Sequence, residues 1–313
     1  IAGTMAGTIR EMDCAQNYAV AARDYGRAAE FAQTYGFEKA YGSYEELVED
    51  AGVELVYIAT PHSHHYEHIK LCLNHGKHVL CEKSFTVNES QAREVLALAR
   101  EKKLLLTEAI WTRYMPMRKT LDSVLSSGVI GRPYMLTANL GYIISGKERI
   151  MRPELAGGAL LDVGIYPLNF ASMVFGDEVD SITGTAVMTE TGVDAQNSIT
   201  ITYKDGKMAA LCSSAMGLSD RRGIIYGDNG FIEVENINNC EGIRVYDRSR
   251  NMIASYDTPK QISGYEYEVE ACLRAIKEGA LECPEMPHEE TLRMMGWMDE
   301  LRRQWGLVYP MER

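Results

Sequence analysis

The stretch VELVYIATPHSHHYEHIKLCLNHGKHVLCEKS, Val53–Ser84, contains the alternation that decides the fold. Its first part, Val53–Thr60, is a mostly apolar run between turn signals, which is typical of a parallel strand buried on both faces. Residues 66–76 have the spacing of a helix, and residues 77–83 form a second short apolar run. A strand, a helix and a strand in succession predict a parallel βαβ unit.

The same alternation continues on both sides of this stretch. Before it, strand-like residues 17–23 precede a helical segment that stops at Gly36, and a further helix begins at Ser43 with Glu46 three residues on. After it, residues 88–102 have helical spacing and residues 104–110 are strand-like. This pattern predicts a doubly wound Rossmann-type α/β domain, which binds ligands where its strands end.

The pattern changes from about Gly131. Short strands recur at roughly ten-residue spacing with hairpin turns such as KDGK and GDNG, and two amphipathic helices close the chain. The 313 residues are enough for two domains. We therefore expect one domain over residues 1–109 and a second over residues 110–313. The second domain should be a mostly antiparallel open sheet with one face covered by helices.

Composition limits the classes of binding partner and indicates the cellular compartment. The net charge is −12 and no Lys/Arg-rich block is present, which argues against nucleic acid and anionic membranes as partners. No apolar run approaches the roughly 18 residues of a membrane span. The 7 cysteines include no C-x-x-C pair, so we expect free thiols in a reducing cytoplasm.

Six of the 7 histidines lie in the opening stretch, which raises the question of a metal site. His64 and His68 are four residues apart and could share a helix face. A zinc site needs three or four ligands, however, and His75 and His78 lie beyond the helix, where they cannot easily meet His62. We expect no metal here, and interpret the histidines as capping or surface residues with one or two at a ligand.

Three motifs resemble those of a known family. Residues 60–84 resemble the signature of the glucose–fructose oxidoreductase/inositol dehydrogenase (Gfo/Idh/MocA) family of NAD(P)-dependent oxidoreductases. Residues 149–170, RIMRPELAGGALLDVGIYPLNF, look like the family's second motif. Residues 107–116, TEAIWTRYMP, are similar to the dimeric dihydrodiol dehydrogenase branch. The motifs occur in family order, and the resemblance covers essentially the whole chain. It implies that the first domain binds a dinucleotide and that the second binds the substrate and mediates oligomerisation.

The resemblance implies hydride transfer between nicotinamide and a secondary alcohol or carbonyl of a sugar, cyclitol or cyclic diol. Tyr166 would be the proton donor and acceptor, and a nearby ammonium such as Lys83 would lower its pKa from about 10. Asp162, four residues before Tyr166, would share its helix face and bind the substrate. The alternatives are that Tyr166 is a packed aromatic, that Lys83 is a surface charge and that Asp162 is a helix N-cap. The implied cofactor contacts come from Ala2, Arg23, Thr60, Pro61, His62, His65, Glu82, Lys83 and Arg113.

The second strand bears on the choice between NADP and NAD. NAD binders usually end this strand with Asp or Glu, but Ala22 stands there and Arg23 follows. A cation suits a 2′-phosphate, so NADP is favoured over NAD, although Asp24 could still face the ribose. Trp111 could wall the substrate pocket, and Arg113 or Arg149 could reach cofactor or substrate. Packing or an ion pair is the alternative for each.

Two departures from the family pattern matter. Ser84 replaces the family's proline, so we expect a trans Lys83–Ser84 bond and a possible shift of Lys83. Ile1-Ala2 matches only the end of the family's G-x-G-x-[IV]-A, so we expect the first strand and the phosphate-loop glycines to lie before Ile1. The resemblance also implies a homodimer or higher homo-oligomer through the open sheet face. The alternatives are a cofactor-sensing regulator without turnover, and a hydrolase or lyase that uses NAD transiently.

Overall fold

The computed structural model describes all residues from Ile1 to Arg313, and their contacts divide them into two compact units. The first unit contains Ile1–Tyr114 and Lys260–Leu292, and the second contains Met115–Pro259 and Arg293–Arg313. The predicted boundary after residue 109 is therefore close to the first crossing of the chain. The return of residues 260–292 to the first unit differs from the prediction, and hairpin periodicity gives no sign of it.

Helices and strands alternate through the first part of the chain, and strands predominate later. The helices are α1 Ala2–Arg10, α2 Tyr25–Tyr35, α3 Tyr44–Glu49, α4 His62–Asn74, α5 Glu89–Lys102, α6 Pro116–Ser126, α7 Glu148–Met151, α8 Ile165–Phe175, α9 Glu266–Glu278 and α10 His288–Trp305. The strands are β1 Ala19–Ala21, β2 Lys39–Tyr41, β3 Leu55–Ile58, β4 His78–Glu82, β5 Leu106–Ala109, β6 Pro133–Gly141, β7 Val179–Met188, β8 Asp194–Tyr203, β9 Met208–Ser214, β10 Gly223–Gly227, β11 Gly230–Glu235, β12 Gly242–Asp247 and β13 Met252–Asp257.

The first unit has the predicted parallel α/β architecture, but its sheet is in two parts. β1 pairs with β2, and β3, β4 and β5 form a separate parallel sheet in that order. β1 and β3 both line a cavity of about 990 Å³. The central strand β4 is buried as expected, whereas Leu55, Val56 and Tyr57 of β3 are only half-buried. β3 pairs with β4 alone among the described strands, and these three side chains are half-buried where the sequence pattern predicts burial on both faces.

Local signals place the helices of this unit. Asp24 caps α2 by accepting a hydrogen bond from the Arg27 amide at 2.9 Å, and α2 ends at Gly36, whose φ of 76° is easily adopted by glycine. Ser43 caps α3 through the Glu46 amide, as predicted. α4 begins at His62, four residues before Tyr66, where the helical spacing of the sequence begins.

The second unit is an eight-stranded sheet with the order β13-β12-β11-β10-β6-β9-β8-β7. Its neighbouring strands are antiparallel except for β6 and β9, which confirms the predicted mostly antiparallel sheet. α8 packs against β6 and β9. Large apolar side chains are exposed on other strand positions, among them Tyr134, Met135 and Met208.

One helical stretch of the second unit, Pro153–Phe175, is long and apolar enough to cross a membrane. The sequence reading found no run of that kind, because the stretch is interrupted by several polar residues. Of its most apolar window, 89% is buried inside the protein, as in the core helix of a soluble protein. It contains a π-helical turn at Leu160–Gly164 that runs directly into α8.

Candidate functional site

Lys83 follows the last residue of β4, at the carboxyl edge of the parallel sheet. The Lys83–Ser84 peptide bond is cis, so the expectation of a trans bond is wrong. Ser84 is fully buried, and its carbonyl oxygen lies 2.9 Å from Nδ1 of His65. Local sequence preference, on which the expectation of a trans bond rests, does not include buried contacts of this kind.

His65 connects the ends of β3 and β4. Its ring is fully buried, with Nδ1 at 2.9 Å from the Ser84 carbonyl and Nε2 at 2.8 Å from the Thr60 carbonyl. Burial lowers its pKa to about 4, although the two carbonyls act in the opposite direction. The His62 ring lies edge-on to it at 5.9 Å, and Pro61 precedes α4. His65 therefore has a structural part in this loop, and its contact with a cofactor stays a prediction.

Buried carboxyl groups lie in the first unit beside Lys83. Glu82 is 7% exposed and accepts a hydrogen bond from the Tyr57 hydroxyl. Burial raises the pKa of Glu82, and the Lys83 charge opposes that rise. Glu268 on α9 is fully buried, neither of its carboxylate oxygens has a hydrogen-bond partner, and burial and the charge of Glu82 raise its pKa well above the usual range.

Sequence reasoning missed Tyr57 and Glu268. The available signal was the position of Glu268 on α9, four residues before Cys272 and seven before Ala275, both of which are buried. A carboxyl group on the apolar face of an amphipathic helix is costly unless it is neutral or paired. A carboxyl group at such a position therefore indicates a neutral or paired buried group even when no motif contains it.

Asp162 lies in the π-helical turn of the second unit and is 4% exposed. Nη1 of Arg149 is 2.5 Å from its Oδ1, so Arg149 has an ion pair with the predicted substrate ligand. Tyr166, the second residue of α8, is 8% exposed. The structure thus brings Arg149 to Asp162, and it places Asp162 and Tyr166 on the same continuous helical segment.

Asp194, which sequence reasoning also missed, supports the start of this segment. Its Oδ2 accepts hydrogen bonds from the Leu160 amide at 2.8 Å and from Asn197 Nδ2 at 2.9 Å. Burial raises the pKa of Asp194 to about 6. A Cβ on Gly158, where φ is 113°, would lie 2.3 Å from Oδ1 of Asp194, so only glycine fits there.

Trp111 and Arg113 are buried in the first unit. The Trp111 ring stacks on the Tyr265 ring with centroids 4.1 Å apart, and Nη2 of Arg113 is 2.6 Å from a carboxylate oxygen of Glu290. These contacts correspond to the packing and ion-pair alternatives. A part for either residue in binding cofactor or substrate stays a prediction.

A cavity lies between β1 and β3. It is lined in part by Ala2, Ala22 and Thr60, and its volume of about 990 Å³ is large enough for such a ligand. Arg23 follows Ala22, and its charge acts on His64 and His68 beyond the end of β3. The cavity runs along the length of β1 and β3, and its end beside Ala22 and Thr60 lies at the strand ends where doubly wound folds bind the phosphates and ribose of NAD(P).

The predicted site residues fall in both units. Lys83 and the predicted cofactor contacts belong to the first unit, whereas Asp162 and Tyr166 belong to the second. The assembly of Lys83, Asp162 and Tyr166 into one catalytic site therefore stays a prediction. No group of three His, Cys, Asp or Glu side chains has an arrangement that could hold a metal ion.

Curated relatives are similar along nearly the whole chain. The trans-1,2-dihydrobenzene-1,2-diol dehydrogenase of Homo sapiens is 36% identical over 305 residues, which cover 95% of this chain and 91% of that protein. The Xenopus tropicalis protein of the same name is 35% identical over 301 residues, covering 94% and 91%.

Solved structures share the fold. The 3-ketoreductase KijD10 of Actinomadura kijaniata, solved with NADP and TDP-benzene, is 24% identical with a TM-score of 0.88, and the match covers 96% of this chain and 93% of that chain. The aldose-aldose oxidoreductase of Caulobacter crescentus is 18% identical with a TM-score of 0.86, covering 97% and 95%.

Two family models match the chain in sequence order. Residues 1–110 match the oxidoreductase family with an NAD-binding Rossmann fold, and residues 119–233 match the GFO/IDH/MocA C-terminal domain. Both matches agree with the parallel first unit and the largely antiparallel second unit. The protein is thus an oxidoreductase of the Gfo/Idh/MocA family.

Proposed function

We propose that this protein is an NADP-dependent dehydrogenase that oxidises a secondary alcohol of a cyclic diol, or reduces the corresponding carbonyl. The observation that carries the proposal is the 36% identity, over 95% of the chain, to the human trans-1,2-dihydrobenzene-1,2-diol dehydrogenase. A sugar-like ring with neighbouring hydroxyls has the same chemistry and is the second substrate class to test.

The proposed chemistry needs a hydride acceptor, a proton acceptor and an oriented alcohol. Nicotinamide, when bound, supplies the hydride-accepting chemistry. Tyr166 takes the hydroxyl proton as the alcohol carbon is oxidised, and it returns a proton in the reverse direction. An ammonium beside Tyr166 would favour its phenolate form, and the family resemblance gives this part to Lys83. Asp162, oriented by Arg149, accepts a hydrogen bond from a substrate hydroxyl.

The preference for NADP is supported by the loop after β1. Arg23 offers a guanidinium that can bind a phosphate with two hydrogen bonds. Asp24, the residue that could have favoured NAD, accepts the hydrogen bond that caps α2. A carboxylate occupied in this way is less available to the ribose hydroxyls. We expect NADPH to bind more tightly than NADH.

We also propose self-association and a reducing compartment. Met135 and Met208 are paired across β6 and β9 and are each more than 40% exposed, and an apolar sheet face of this kind supports a homodimer. All 7 cysteines are unpaired, which supports a cytoplasmic location. Sedimentation at several protein concentrations tests the dimer directly.

The test of the proposed function combines binding and turnover. The purified protein is titrated with NADPH and NADH by nicotinamide fluorescence, and is then supplied with NADP and trans-1,2-dihydrobenzene-1,2-diol or with a panel of sugars. We expect saturable binding of NADPH and the appearance of reduced nicotinamide with the diol. A folded protein that binds neither nucleotide, or that binds NADPH and oxidises no alcohol, would overturn the proposal.

A further inference from the structure

His64 and His68 lie one turn apart on α4, and their ring centroids are 5.8 Å apart. Each uses Nδ1 for a nearby hydroxyl: His64 with Ser63 Oγ at 2.9 Å and His68 with Thr60 Oγ1 at 3.0 Å. Nε2 of each ring has no hydrogen-bond partner in the protein. Two neighbouring imidazoles therefore keep one nitrogen each available to a ligand.

The charges around this pair are mostly positive. Burial lowers the pKa of His64, and so does the charge of Arg23. Burial lowers the pKa of His68 as well, together with the charges of His64 and Arg23, and only Glu45 on α3 acts in the opposite direction. Three groups that can carry positive charge thus repel one another. An anion bound among them would relieve that repulsion.

The place of the pair in the fold indicates which anion this is. Arg23 follows β1, and the two histidines lie near the start of α4, which follows β3. All three groups therefore come from segments that directly follow parallel strands, where doubly wound folds bind ligands. His68 lines the same cavity as Ala22 and Thr60. A metal is a poor occupant because no third ligand of the required kind joins the two histidines.

We propose that His64 and His68, together with Arg23, bind the adenosine 2′-phosphate of NADP(H), and that their protonation makes the preference for NADPH over NADH depend on pH. This inference rests on the proposed NADP-dependent function. Arg23 and the two histidines would contribute differently to phosphate binding. Arg23 carries a permanent charge, whereas the histidines add charge only when they are protonated.

The direction of the effect follows from linkage. A phosphate dianion beside the imidazoles favours their charged form, so NADPH binding takes up protons and tightens as the pH falls. NADH has no 2′-phosphate and should lack this dependence. The phosphate itself gains a proton near pH 6, which weakens binding at low pH. The dissociation constants of the wild type and the variants must therefore be compared with one another at each pH.

The experiment measures the dissociation constants of NADPH and NADH for the full chain at about pH 6, 7 and 8. The variants are His64→Gln, His68→Gln and the double variant. His75→Gln is the matched control, because His75 is exposed and its Nδ1 faces the Leu71 carbonyl at the end of α4. Melting temperatures establish that each variant is folded.

We expect the ratio of the NADH and NADPH dissociation constants at about pH 6 to be roughly fivefold to tenfold smaller in the double variant than in the wild type, and the difference to vanish near pH 8. Calorimetry in buffers of different ionisation enthalpy should show fewer protons taken up by the double variant. Arg23→Gln should lower the ratio at every pH.

Two results would overturn the inference, and they differ from failure of the proposed function. If the histidine variants weaken NADPH and NADH equally, the rings contact the adenine or the common ribose instead. If the ratio follows the wild type at every pH, the histidines do not contribute. A wild-type protein that binds neither nucleotide would overturn the proposed function first, and this inference with it.

Discussion

Arg149 and Asp162 form an ion pair in which Nη1 lies 2.5 Å from Oδ1. The Asp162 side chain is 5% exposed, whereas that of Arg149 is 41% exposed. The guanidinium therefore approaches a buried carboxylate from the solvent side and fixes the direction in which it points. The ion pair thus gives the carboxylate on the π-helical turn a fixed orientation.

Replacing Arg149 should impair activity more than stability. Arg149→Met removes the guanidinium from the buried Asp162 carboxylate, and we expect kcat/KM for the alcohol to fall roughly tenfold, with a small change in melting temperature. Arg149→Lys should recover part of the loss. Arg152→Met is the matched control, because Arg152 has exposed ion pairs with Glu148 and Glu154 on the same segment. Equal kinetics in both methionine variants would contradict the orienting role.

Much of the fold could be predicted because hydrophobic periodicity and the residues that cap helices or form turns are properties of the local sequence. The caps at Ser43 and Gly36 and the hairpins of the second unit needed only neighbouring residues. The half-exposure of β3 could not be predicted, because it depends on which strands pair. The return of α9 to the first unit likewise depends on distant contacts.

Sequence motifs predict some of the candidate site residues, and their assembly into one site stays a prediction. Buried polar residues that belong to no motif were missed. Lys83, Asp162 and Tyr166 stand in recognisable motifs. Asp194 and Glu268 do not, and their importance appears only when their burial and their hydrogen bonds are known. The expectation of a trans bond at Ser84 was wrong. It rested on local preference alone, which takes no account of buried contacts such as that between His65 and the Ser84 carbonyl.

Tyr166→Phe should remove the proton transfer while retaining the ring. General acid–base groups contribute roughly a hundredfold to ten-thousandfold in rate, so we expect kcat to fall by at least about a hundredfold. The NADPH dissociation constant should change less than about twofold, because the proposed part of the hydroxyl is in chemistry. Tyr134→Phe, at an exposed position of β6, serves as the control. Retained turnover in Tyr166→Phe would assign the proton transfer to another group.

Asp194 should make stability depend on pH. Its pKa is raised to about 6, so the folded state holds a proton that the unfolded state has lost. Stability from this group is therefore greatest below about pH 4 and declines as the pH rises to about 6. Asp194→Asn should remove that part of the slope in melting temperature between these values. Asp194→Ala should be less stable at every pH, because the Leu160 amide loses its acceptor. A slope unchanged in Asp194→Asn would contradict the assignment.

Glu268→Gln should stabilise the protein at neutral pH. Glu268 is fully buried without a hydrogen-bond partner, and its raised pKa keeps a proton on the folded state. The unfolded chain gains from ionising this carboxyl above about pH 4, so the wild type loses stability relative to the glutamine variant as the pH rises. We expect the variant to melt higher near pH 8 and the difference to shrink toward pH 5. Glu270→Gln, at an exposed position on α9, should show no such trend. A variant that melts lower at every pH would mean that the Glu268 carboxyl makes a stabilising contact that glutamine cannot replace, and the protonated, partnerless carboxyl would then be the wrong description of this site.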